Sequence, residues 1–237
     1  MAVTAASVGT GQSTASTTVA TSAAVTPVAN RLYLAVVVSR AGASPNIPTV
    51  AGCGLTWVQV ATRVDGTNFR RITVFRAMKP SGLSSQVVTA TISGSQTIAL
   101  ISVLELTGMD TSGTDGSGAV VTSAQNGNTG TATTASITMA AWADAVNNAA
   151  VSAFWHGNAE VTTPDAAWTE ISDQAGVSST CLETQFKVGQ DTTAQASWTG
   201  SAAPWGGIAV EIAALVGVTY NDTPSGGLVL GGSLAVD

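Results

Sequence analysis

The chain has 237 residues, 45% hydrophobic and only 9% charged, and fourteen acidic against eight basic side chains leave a formal net charge of −6 and a pI near 4.5. That balance repels phosphate backbones and anionic lipid surfaces, so neither nucleic acid nor a membrane is expected as a partner. The two cysteines, Cys53 and Cys181, carry no CxxC or Cys/His spacing, which argues against a disulfide framework and a zinc site. They read as isolated buried thiols, with a single bond between them left open because sequence does not place them in space.

Residues 1–15 are rich in Ala, Ser and Thr and read as an N-terminal arm that becomes ordered against neighbours. The first thirty residues hold no Lys or Arg and no unbroken apolar core, so a secretory signal is not expected. Strand signals then dominate. Leu32 to Ser39, Ile72 to Met78, Gln86 to Ile92 and Ile98 to Leu106 are β-branched runs bounded by Gly, Pro, Asn or Ser. The uncharged run from Ser81 to Leu104 is interrupted by Ser, Thr, Gln and Gly, unlike a membrane span, and the chain reads as soluble. Residues 111–134 form a Gly/Ser/Thr-rich connection, either linker or surface loop. Ala140 to Ala150 is the one stretch where a helical turn competes with strand.

The second half repeats the order of the first. Leu55-Thr56-Trp57-Val58 matches Ala167-Trp168-Thr169-Glu170-Ile171, and Ile72-Thr73-Val74-Phe75-Arg76 matches Glu183-Thr184-Gln185-Phe186-Lys187. The interval from Trp57 to Trp168 equals that from Phe75 to Phe186. Val88 to Ile92 then matches Ala194 to Trp198, and Ser102 to Leu106 matches Ala209 to Ile212, with Glu105 and Glu211 as equivalents at a slightly shorter interval. These matches predict an all-β chain: a duplicated antiparallel β-sandwich, jelly-roll-like, with extended N- and C-terminal arms. The expected divisions are residues 1–15 (arm), 16–110 (first repeat), 111–134 (connection), 135–215 (second repeat) and 216–237 (Gly-rich C-terminal arm).

Three features carry a resemblance: Gly54-Leu55-Thr56-Trp57 with its partner Ala167-Trp168-Thr169, the strand end Val103 to Asp110 with its partner Val210-Glu211-Ile212, and the Gly-rich tail Pro224 to Ser233. In these the chain resembles two-copy β-sandwich virion structural proteins of tailed bacteriophages, especially those of actinobacteria. The resemblance implies a virion component without catalytic residues, either a minor tail or fibre protein or a capsid decoration. It also implies assembly in the host cytoplasm with other virion proteins and with copies of itself. Stopping after one Gly-rich motif favours a compact accessory subunit over a long fibre.

The residues offer little chemistry of their own. His156 is the only histidine, and without a GxSxG elbow it reads as a hydrogen-bonded or solvated strand-end residue. Glu105 and Glu211 could serve as a glycosidase pair, yet their equivalent places in the two repeats favour a structural role. Asp110 to Gly116 lacks the alternating ligands and closing Glu of a calcium loop and reads as a turn. Gly9-Thr10-Gly11 lacks the strand-to-helix setting of a phosphate loop. No catalytic, metal or cofactor-binding residue is therefore expected. The six tryptophans raise an alternative, a carbohydrate-binding adhesin module contacting a host surface glycan. Trp205, among turn residues and without a counterpart in the first repeat, is with Pro204 the best interface or glycan contact. Leu228 and Leu230 in the tail are the further interface candidates.

Overall fold

The structure, a computed structural model, describes residues 2–175 and 179–215. Fourteen strands follow in chain order: β1 (Thr4–Ala20), β2 (Leu32–Arg40), β3 (Thr49–Ala51), β4 (Val58–Asp65), β5 (Arg70–Ala77), β6 (Thr89–Thr107), β7 (Val120–Ala132), β8 (Thr134–Thr138), β9 (Ala149–His156), β10 (Thr163–Pro164), β11 (Thr169–Gln174), β12 (Leu182–Val188), β13 (Thr193–Ser197) and β14 (Ala203–Ile212). Every pairing is antiparallel. Among the described residues there is no helix, and so none long and apolar enough to cross a membrane.

Two large sheets form the centre. One has the order β1-β6-β2-β5-β4 and the other, read from its far edge, β7-β14-β9-β12-β11. Strand for strand these are the same order. A small sheet covers the outer face of each. In the first half the far ends of β1 and β6 bend away and pair with each other and with β3, helped by a register shift between Ser16 and Thr18 and by Gly94 at φ 85°. In the second half the same layer is the separate sheet β10-β13-β8.

The four layers explain the sequence pattern. β2 reads LYLAVVVS without a polar break because both of its faces are covered. Leu32, Leu34, Val36 and Val38 face inward against Ala149, Val151, Ala153 and Trp155 of β9, and this central core also takes Ile72, Leu100, Leu182, Ile208 and Val210. Tyr33, Ala35 and Val37 face outward onto Val19, Cys53, Val88 and Ile92. In the second half Ala150 and Phe154 face outward onto Ala135, Ile137, Trp168, Ala194 and Trp198. The largest apolar cluster therefore draws on both halves of the chain.

Polar contacts cross between the large sheets at one side. The Oγ atoms of Ser102 and Ser172 lie 2.8 Å apart, and the Gln174 side-chain amide donates to the Ile101 carbonyl at 3.0 Å. Arg70 closes one end of the central core. Its guanidinium donates to Ser179 O at 2.7 Å, Asn68 O at 3.1 Å and Thr180 Oγ1 at 3.3 Å, and lies 5.2 Å from the centre of the Trp155 ring. At the opposite turn, Asp110 donates to Ala213 O and Leu215 donates to Gly108 O, which ties the ends of β6 and β14 together.

Two local expectations differ from what forms, and a third resolves. Residues 4–15, read as an arm, are the first part of β1 and pair with β6. Residues 120–132, inside the expected connection, are β7 and pair with β14. Both segments are Gly-, Ser- and Thr-rich strands at a sheet edge, where backbone pairing on one side suffices and little side-chain burial is required. In Ala140 to Ala150, where a helical turn competes with strand, a single turn forms at 143–147, its Asp144 carboxylate accepting the Val146 and Asn147 N–H groups at 2.9 and 3.0 Å and its Asp144 carbonyl the Asn148 N–H at 3.2 Å, and strand β9 follows from Ala149.

Candidate functional site

The densest polar cluster lies between the second large sheet and its covering layer. His156 ends β9 fully buried, with its ring stacked on Trp198 at 4.3 Å between centres. Its Nδ1 accepts the Asn158 N–H at 3.2 Å, so Nε2 carries the proton and donates to Thr162 Oγ1 at 3.1 Å. Burial, with the Arg70 charge adding to it, pushes the imidazole pKa down to about 4, so the ring is neutral at physiological pH. The Cys181 sulfur accepts the His156 backbone N–H at 3.3 Å and lies 3.6 Å from Thr162 Oγ1.

Two carboxyl groups complete the cluster. Asp173 of β11 and Glu183 of β12 are direct cross-strand partners. One Asp173 oxygen accepts the Thr162 N–H at 2.6 Å, while the other, and both oxygens of the fully buried Glu183, have no hydrogen-bond partner. Burial raises the Asp173 pKa to about 6, and burial together with the Asp173 and Glu170 charges holds Glu183 well above the usual carboxylate range. A protonated Glu183 is the state that such a dry site stabilises, because a carboxylate there would be neither solvated nor paired.

Cysteine, histidine and aspartate are the residue types of nucleophilic catalysis, but their arrangement here differs from a working site. The sulfur meets the histidine through the backbone N–H, and burial pushes the thiol pKa up to about 12, so the thiolate is scarce. A surface depression of about 370 Å³ lies beside Lys79 and Asp115 and another of about 240 Å³ beside Asp165 and Gln195, each away from the cluster. Among the described residues no group of three or more His, Cys, Asp or Glu is placed to hold a metal ion.

Glu105 and Glu211 stand at equivalent places and do equivalent work. Arg31 and the Tyr33 hydroxyl both donate to the Glu105 carboxylate. Glu211 accepts the Ala143 N–H at 2.8 Å and the side-chain amide of Asn148 at 2.7 Å, and Asn148 precedes β9 as Arg31 precedes β2. Each glutamate pins the loop that enters the middle strand of its sheet. Glu105 sits beside Tyr33 on the outer face of one large sheet and Glu211 beside Asn148 on the outer face of the other, with the central core between them, so they do not share a cleft.

The remaining candidates are placed as follows. Trp205 is 6% exposed and packs in the outer core of the second half, 6.4 Å from Phe154 between ring centres, instead of presenting a stacking face. Trp142, Trp155, Trp168 and Trp198 are also buried, and Trp57 is half-buried with its N–H donated to Gly52 O at 3.3 Å. Pro204 is half-buried, its ring 3.0 Å from where a Cβ on Gly157 would stand. Leu228 and Leu230 lie outside the described residues. Asp110 to Gly116 forms a turn in which the Asp110 carboxylate accepts from Ser112 N and Oγ. Cys53 and Cys181 are both buried free thiols, each in the outer layer of its own half.

Sequence reasoning missed the cluster around His156, Asp173, Cys181 and Glu183. In sequence the stretch of β12 reads only as the match to Ile72 to Arg76, and the covering layer is what makes its Glu183 and Gln185 interior. The sheet edges show the other notable contrast. β4 carries Arg63 and Asp65 and β11 carries Glu170 and Asp173, whereas β1 and β7 carry no charge along their whole lengths. No family model matches the chain, and neither a curated protein nor a solved structure matches it.

Proposed function

We propose that the chain is a bacteriophage virion structural protein, a minor tail, fibre-associated or capsid decoration subunit that acts by assembly. The observation that carries this reading is the distribution of polar groups. His156, Cys181 and Glu183 are buried between layers with Asp173 half-buried beside them, while the surface offers two long uncharged edge strands, β1 and β7. The stacked all-β architecture and the low charge fit a subunit that meets its neighbours through backbone and hydroxyl groups. The glycan-binding reading loses the indole that motivated it, since Trp205 lies inside.

Cryo-electron microscopy of purified particles is the direct test. Density for the chain at regularly repeated positions on a shell or tail is expected. A chain found only free, with none retained on purified particles, would overturn the proposal.

A further inference from the structure

The four edges of the two large sheets are not alike. β4 and β11 are short, charged, and interrupted by register shifts at Gln59/Ala61 and Glu170/Ser172. Charges and bulges of this kind keep a sheet edge from pairing with another chain. β1 is long and uncharged, but Ser22 donates its N–H to Thr10 O and so covers part of its outer edge. β7 has register shifts only toward its two ends, between Val120 and Thr122 and between Asn128 and Ala132, and carries no charge. Its thirteen residues include no proline either, and among the described residues it pairs with β14 alone. From Thr122 to Asn128 its register against β14 runs without a shift, so this stretch presents a regular row of backbone donors and acceptors.

We propose that β7 is a self-association edge, pairing antiparallel with β7 of a second copy to join the two large sheets that contain it. This deepens the assembly reading above by naming the partner. A twofold axis at Gln125 sets Thr122 opposite Asn128, Ser123 opposite Gly127, Ala124 opposite Asn126, and Gln125 opposite itself. No like charges meet along that row, although each chain carries a net charge of −6. Arg63 of β4 lies over Gly127 with its Nε buried. An edge pairing with its own copy closes as a dimer, and main-chain hydrogen bonds supply the contact.

Sedimentation equilibrium of the full chain, from micromolar to hundred-micromolar concentration, tests the edge. A dimer is expected. Gln125→Lys sets two lysines together at the axis and should weaken the dimer by roughly tenfold or more. Gln12→Lys, the same change on β1, should leave it intact. A wild-type chain that stays monomeric throughout, or a dimer indifferent to Gln125→Lys, overturns the proposal. If Gln125→Lys does not fold, amide hydrogen exchange of the wild type decides instead: slowing within residues 121–131 as concentration rises supports the edge, and its absence overturns it. Particle content tests the assembly reading and sedimentation of the free chain tests the edge, so each can fail without the other.

Discussion

Asp173 and His156 are each one hydrogen bond from Thr162 and are pushed in opposite senses by the same dry surroundings. Asp173 is raised from 3.8 to about 6, so the folded state holds a proton that the unfolded chain gives up. The stability this contributes is complete below pH 3.8 and is lost as pH rises through about 6. Asp173→Asn keeps an acceptor for the Thr162 N–H and removes the titration. Relative to wild type it should therefore gain about 1–2 kcal/mol between pH 4 and pH 8, after allowance for solvent screening at a half-buried site. Urea unfolding of the two proteins at both pH values measures this, and parallel pH profiles would refute it. His156 is lowered from 6.5 to about 4, so its contribution is full above pH 6.5 and is lost as pH falls through about 4. His156→Gln should flatten the acid limb of the melting-temperature profile across that window. Glu105 and Glu211 were recognisable as equivalents from sequence, but their partners were not, because Arg31 and Asn148 are chemically unlike and only the shared turn position relates them.

At the scale of elements, the strands β2, β5, β9 and β14 are held by apolar faces on both sides, and two glycines of β14 sit beneath rings of β9. Gly206 and Gly207 leave room for the rings of Trp155 and Phe154. A Cβ on Gly207 would come within 2.5 Å of the Phe154 ring. Gly207→Ala should therefore displace Phe154 and cost about 1–3 kcal/mol in urea unfolding. A neutral result would mean that both the ring and the Ala153 carbonyl, 2.8 Å from that Cβ, give way. The central strands β2, β5 and β6 were legible as β-branched runs, and β12 and β14 through their match to the first half. The edge strands β1 and β7 were not, because Gly, Ser, Thr and Asn in sequence carry the same signature whether the segment is a loop or an exposed strand with one backbone partner. Tertiary pairing decides between the two.

Across the whole molecule, the two halves share the central core, and this has a measurable consequence. Trp142, Trp155, Trp168, Trp198 and Trp205 all belong to the second half, so tryptophan fluorescence reports mainly on that half. Leu34 belongs to the first half and is fully buried against the second. Leu34→Ala should cost about 2–5 kcal/mol and lower the midpoint of the fluorescence transition along with that of circular dichroism. A fluorescence midpoint unmoved by Leu34→Ala would mean that the halves unfold independently. The same shared core explains why a small, weakly charged chain can leave so much polar surface at its edges.

The sequence by itself determined the strand character of the chain and the matching order of its two halves, because β-branched alternation, turn residues and repeated intervals are local and periodic properties. Tertiary structure alone decided which faces those strands would bury. Glu183 and Gln185 of β12 are interior because the small sheet covers them, and Trp205, expected as a contact among turn residues, lies inside because the outer core closes around it. It also decided that residues 4–15 and 120–132 would be sheet edges, since a strand of Gly, Ser and Thr exists only where a neighbour supplies the other half of its hydrogen bonds.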